Sequence, residues 1–160
     1  MTSVATPIEL LLALLDEAYD RQSWHGTNLR GSLRGITAAQ ADWRPAPRRH
    51  SVRDIALHAA YWKYAVRRRL TRDPRGSFAV KGSNWFPRDP ARTWAHELAL
   101  LGLEHKSLRA AVAALAPADL DRPLLRNGRT AGYLVRGIAA HDLYHAGQIQ
   151  LLKRLQKRSR

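Results

Sequence analysis

The chain has 160 residues, the usual size of one domain with a substantial buried core, and it contains no cysteine. Disulfides, thiolate nucleophiles, iron-sulfur clusters and cysteine-bound zinc are thereby excluded, and any metal must rest on histidine, carboxylate or water. Lys and Arg number 27 against 13 Asp and Glu, a formal charge of +14, so nucleic acid and other polyanions must be weighed as partners.

Thr6-Pro7-Ile8-Glu9 has capping-box spacing with proline at the first helical position, and predicts the start of a first helix. The stripe Leu11, Leu15, Ala18, Gln22 and Leu29 carries that helix to about Leu33, with His25-Gly26 as a place where it can bend or break. The run IELLLALLDEAY contains acids, follows no basic region and is too short to span a bilayer, so neither a signal peptide nor a membrane anchor is expected. A soluble, cytoplasmic protein is the expectation.

Thr37 to Gln40 repeats the cap pattern for a short helical turn, and RPAPRR reads as a proline-punctuated linker with His50 at its end. Ser51 then caps a second helix whose inward stripe is Ile55, His58, Ala59, Trp62, Val66 and Leu70. Residues 71–89 hold prolines and glycines without a helical period, and are expected to form a long connection that crosses the bundle.

Asp89-Pro90 is expected to restart a helix with the stripe Trp94, Leu98, Leu101, His105, Leu108, Val112 and Leu115, ended by Pro117. His96 should face outward, half a turn from His105. After the turn at Asn127-Gly128, the fourth helix carries Leu134, Ile138, His141, His145, Ile149 and Leu152 on one face. No alternating strand pattern, phosphate-binding glycine motif or nucleophile elbow appears. The fold class is all-α, a four-helix bundle with a long crossover connection, expected as a single domain over residues 1–160.

Inward histidines on facing helices are how bundles build metal sites, and three imidazoles suffice for a divalent ion with an open position for water or substrate. His58, His141 and His145 form such a set. The alternative is three core histidines, each of which would need a hydrogen-bond partner. His105 lies on an inward stripe and His25 on that of the first helix if it runs unbroken; each is a candidate fourth ligand or proton-transfer group.

His141-Asp142-Leu143-Tyr144-His145 differs from the metalloprotease arrangement H-E-x-x-H in placing the shorter Asp where the general-base Glu stands. Asp142 is either an acceptor for a ligand imidazole or a surface acid, and the surface reading is favoured. Gln148 can donate to a bound ligand or hydrogen-bond between helices. Gly137 and Gly147 would let a neighbouring helix or ligand approach. Tyr61, Trp62, Trp85 and Phe86 read as core, or as the lining of a pocket beside the second helix.

His141-Asp142-Leu143-Tyr144-His145-Ala146-Gly147-Gln148-Ile149 is similar to the C-terminal H-x-x-x-H-x-G-Q signature of the DinB-like superfamily, and His58 matches its helix-two histidine. The short strings KGSNWFP and SWHG resemble a subgroup variant. The resemblance spans nearly the whole chain. It implies a bundle with a long crossover, a three-His site for zinc, nickel or iron, and frequent homodimers. Related proteins include bacillithiol transferases and mycothiol-dependent isomerases, so it also implies a small-molecule substrate, used with a low-molecular-weight thiol.

Two functions follow. One is a divalent-metal enzyme, a hydrolase or thiol S-transferase, with His25, Asp142 and Gln148 as candidates to assist the three ligands. The other is a non-catalytic basic protein that binds nucleic acid or another polyanion and keeps its histidines for structure. The basic clusters RPAPRRH, AVRRRLTRDPR and KRLQKRSR are separate in sequence, which speaks for a dispersed, solvated charge.

Overall fold

The computed structural model describes residues 4–158, so the ends of the expected 1–160 domain, and with them the last two residues of KRLQKRSR, lie outside the described residues. In chain order the helices are α1 (Pro7–Tyr19), α2 (Leu29–Leu33), α3 (Ala38–Asp42), α4 (Val52–Thr71), α5 (Trp94–Ala113) and α6 (Ala131–Arg158), with a 3-10 turn at Pro117–Asp121. No β-strand occurs among the described residues. The long helices α1, α5, α4 and α6 follow one another around the bundle, and α6 returns to α1.

Helix starts fall where side chains can satisfy the free N–H groups of a first turn. Thr6 and Glu9 close a reciprocal box on α1, Ser51 and Asp54 one on α4, and Thr93 and His96 one on α5. The α5 start differs from expectation by a few residues. Asp89 bonds the N–H of Ala91 through its side chain and that of Arg92 through its carbonyl, which makes residues 89–92 a turn ahead of the helix. His96 is exposed, as its position on α5 requires.

The first helix is also shorter than its stripe suggests. It ends at Tyr19, and the chain leaves the helix through residues 20–28 before α2 begins. Asn28 holds this break: its amide donates to the Arg21 carbonyl at 2.7 Å and its oxygen accepts from Gly31 N at 2.8 Å. Gly26 takes the turn at φ +101°, a conformation that side chains with a Cβ rarely adopt.

Arg53 lies over Trp94 and Lys63 over His105, so α4 and α5 run in the same direction. Two neighbouring parallel helices need a connection the length of the bundle, and residues 72–93 supply it. By contrast, α1 is antiparallel to α5, with Asp16 paired to Arg109 and Tyr19 stacked on His105.

Two apolar clusters fill the interior. One gathers Leu29, Val52, Ile55, Leu101 and Ile149, the other Leu15, Val66, Leu108, Val112 and Val135. Each fully buried aliphatic side chain contributes about 1.5–3 kcal/mol. Between the clusters lies a polar layer with one residue from each long helix: Tyr19, Lys63, His105 and Asp142.

Candidate metal centre

His58 projects from α4, and His141 and His145 from α6, one turn apart. Nε2 of His141 lies 3.1 Å from Nε2 of His58 and 3.0 Å from Nε2 of His145. Ligand atoms of the three histidines all fall within 4.8 Å of one another. His58 and His145 are buried, and His141 is half-buried.

The outer nitrogens explain which way these rings present themselves. His58 donates from Nδ1 to the carbonyl of Asn84 at 2.9 Å, and His145 donates from Nδ1 to Oε1 of Gln148 at 2.7 Å. An oxygen that can only accept requires a proton on Nδ1, which leaves each Nε2 with a bare lone pair aimed at the shared centre. His141 Nδ1 is buried without a partner.

Burial keeps all three rings neutral. It pushes His141 down to about 3, with the adjacent His145 and His58 adding to the effect, and His145 down to about 4 against the pull of Gln148. His58 is lowered as well, again chiefly by burial, while its bond to Asn84 acts the other way. A neutral imidazole is the form that ligates a metal.

His58 and His145 thus aim two bare lone pairs at Nε2 of His141, whose own Nδ1 finds no partner, and a divalent ion would satisfy all three rings. Two nitrogens at about 2.1 Å from one ion stand about 3.0 to 3.4 Å apart for bond angles of about 90 to 109°. The separations of His141 from His58 and from His145 reach the lower end of that range and the third pair lies within 4.8 Å, so the donor set fits an ion.

Asp142 is not on the surface. It is fully buried and forms an ion pair with the equally buried Lys63. The correction has a plain cause: residues 135, 138, 139, 142, 145, 146 and 149 form the buried line of α6, and Asp142 stands at its middle. Burial raises its carboxyl above the usual range, with Lys63 pulling the other way, and Oδ1 has no partner.

His105 belongs to this polar layer and stays outside the three-His cluster. Its ring stacks on Tyr19 at 3.8 Å, its Nδ1 lies 3.4 Å from Lys63 Nζ, and burial then Lys63 push it down to about 3. His25 lies in the exposed turn between α1 and α2, because the break after Tyr19 takes it off the inward stripe. Gln148 bonds His145 on its own helix, not a neighbouring one. A Cβ at Gly137 or Gly147 would meet nothing within 4 Å, so no helix approaches either.

Sequence reasoning passed over three residues near the cluster. Lys63 sits on the inward stripe between Ala59 and Val66, and that spacing is the signal that was there to find. Asn84 contributes through its backbone carbonyl, for which side-chain chemistry gives no sign. His50 is no bystander of the linker, since its ring stacks on Trp85, and Trp85 stacks on His58.

Comparison with curated proteins gives no match, and comparison with solved structures gives none. The family model of the DinB superfamily matches residues 8–149, which takes in α4 and α5 whole, most of α1 and α6, and all three clustered histidines. With that match over most of its length, the chain belongs to the DinB superfamily.

Proposed function

We propose that the protein binds one divalent metal ion, zinc, nickel or iron, through His58, His141 and His145, and uses it to act on a small-molecule substrate. The observation that carries this reading is the convergence of three neutral imidazoles, two of which, His58 and His145, have their outer nitrogens tied by Asn84 and Gln148. When bound, such an ion supplies Lewis acidity toward a water or a thiol in its open position, which suits hydrolysis or thiol S-transfer. Three neutral ligands leave its full charge in place, so an anionic reactant such as a thiolate is favoured there.

The chain's own residues hold the site in shape. Asn84 and Gln148 fix the tautomers of two ligands, and Trp62 and Tyr144 stand edge-on to His141 and His145. The same reading takes the chain as a single cytoplasmic domain over 1–160 that pairs as a homodimer and employs a low-molecular-weight thiol. No helix of the described residues is long and apolar enough to cross a membrane.

The test is metal content of the untagged protein by elemental mass spectrometry, with His58→Ala and His145→Ala beside it. Near-stoichiometric metal lost in both variants supports the assignment. A wild-type protein that neither carries nor takes up metal refutes it. The polyanion reading draws on the net charge of +14 and predicts an affinity that falls steeply with salt. Ion pairs such as Arg44 with Asp54, Arg92 with Glu97 and Arg109 with Asp16 are already counted within that net figure.

A further inference from the structure

The connection between α4 and α5 does more than span the bundle. It turns at Gly82 (φ +125°) and again at Asn84 (φ +62°), and there lies against the histidine cluster. Asn84 touches α4 twice: its carbonyl accepts from His58 Nδ1, and its side-chain oxygen accepts from Trp62 Nε1 at 3.0 Å. The next residue, Trp85, lies flat on the His58 ring with centroids 3.9 Å apart and planes 11° apart. His50 also stacks on the indole, at 3.5 Å and 8°. Phe86 anchors the segment in the core, edge-on to Tyr61.

We infer that Asn84 and Trp85 form a clamp that positions His58 for the metal, so that order in the crossover and occupancy of the site reinforce each other. The inference rests on the metal reading given above. Asn84 fixes the plane and tautomer of the ring, and Trp85 blocks its rotation out of that plane. Partners of this kind shift metal affinity by about 10 to 100-fold when removed.

Coupling between two such events is reciprocal. An ion on Nε2 makes the Nδ1–H of His58 a stronger donor, which tightens its bond to Asn84 and steadies the crossover. A crossover already in place offers the ion a ring that needs no reorientation. Asparagine suits the position because it tolerates the left-handed backbone better than most residues and also supplies the acceptor for Trp62.

Cobalt(II) titration of the full chain against a competing chelator, together with hydrogen exchange of residues 78–89 with and without cobalt, tests the clamp. Asn84→Val, whose branched side chain disfavours the left-handed turn, and Trp85→Ala should each weaken cobalt binding by about tenfold or more. Asn84→Gly keeps the turn and the carbonyl and should weaken it by less than about fivefold. Saturating cobalt should slow exchange of 78–89 in the wild type by about fivefold or more.

Wild-type affinity in folded Asn84→Val and Trp85→Ala overturns the clamp, and so does wild-type exchange indifferent to cobalt. The exchange result decides alone if those variants do not fold. A merely structural role would lower thermal stability and leave the affinity of the folded fraction unchanged. A wild-type chain that takes up no cobalt refutes the metal reading itself, and the clamp with it.

Discussion

Lys63→Met tests the buried polar layer. Lys63 and Asp142 are both fully buried, and the carboxylate keeps one oxygen on Lys63 and none on anything else. Removing the ammonium therefore leaves an acid in an apolar interior with no compensating charge, a change that costs about 3–5 kcal/mol. For a chain of this size each kcal/mol moves the melting temperature by about 2–4 °C, which puts the variant about 6–20 °C below the wild type.

The loss should depend on pH with a definite sign. Burial raises Asp142 above its unfolded value, and without Lys63 nothing opposes that rise. A folded state that binds more protons than the unfolded one loses stability as pH climbs, so the deficit of Lys63→Met should grow from pH 5 to pH 8. The double variant Lys63→Met/Asp142→Leu removes both charges and should recover to within about 1–2 kcal/mol of the wild type. Urea denaturation followed by circular dichroism measures all three proteins. A single variant that loses under 1 kcal/mol, or a double variant no better than the single, would refute the reasoning.

Two further predictions follow from the same layer and from α6. Burial holds His105 down to about 3, whereas it regains its ordinary value of about 6.5 on unfolding. The unfolded chain then takes up the extra proton, so stability should fall as pH drops from about 6.5 toward 3. His105→Leu should flatten that slope in melting curves, and an unchanged slope would count against it. Gly137→Ala and Gly147→Ala place a methyl group where a Cβ meets nothing, within a helix, and each should raise stability by about 0.5–1 kcal/mol. A lower melting temperature in both would show that one of those positions is covered.

The bundle was legible because its helices announce themselves twice, by cap and by stripe. Ser51 opens α4 and the spacing from Ile55 to Leu70 continues it, while Ile138, His145, Ile149 and Leu152 mark the buried face of α6. His58, His141 and His145 fell on those stripes and do converge. His25-Gly26 marked a break and lies within it, but its start after Tyr19 was hidden, since Asp20, Arg21 and Gln22 contain no helix breaker and Asn28 does its work from nine residues away.

Asp142 went astray for a different reason. Its spacing from Ile138, Ala139, His145 and Ala146 marks it as interior, but a charge on a helix is usually solvated, and its partner Lys63 lies 79 residues away in the chain. Asn84 stood within KGSNWFP, yet its role could not be read there. Its hold on His58 runs through a backbone carbonyl, which follows no pattern of residue types.

His58 and His141 are 83 residues apart in the chain, yet their nitrogens stand side by side. An ion gripped by both would bind the folded chain and leave as the histidines part on unfolding, so its binding free energy would add to the stability of the fold. Free metal at 100 times its dissociation constant would contribute about 2.7 kcal/mol in this way. In a protein without a single cysteine, the ion would take the place of a staple. Chelation would then be felt first as a loss of folded protein, and only second as a loss of chemistry.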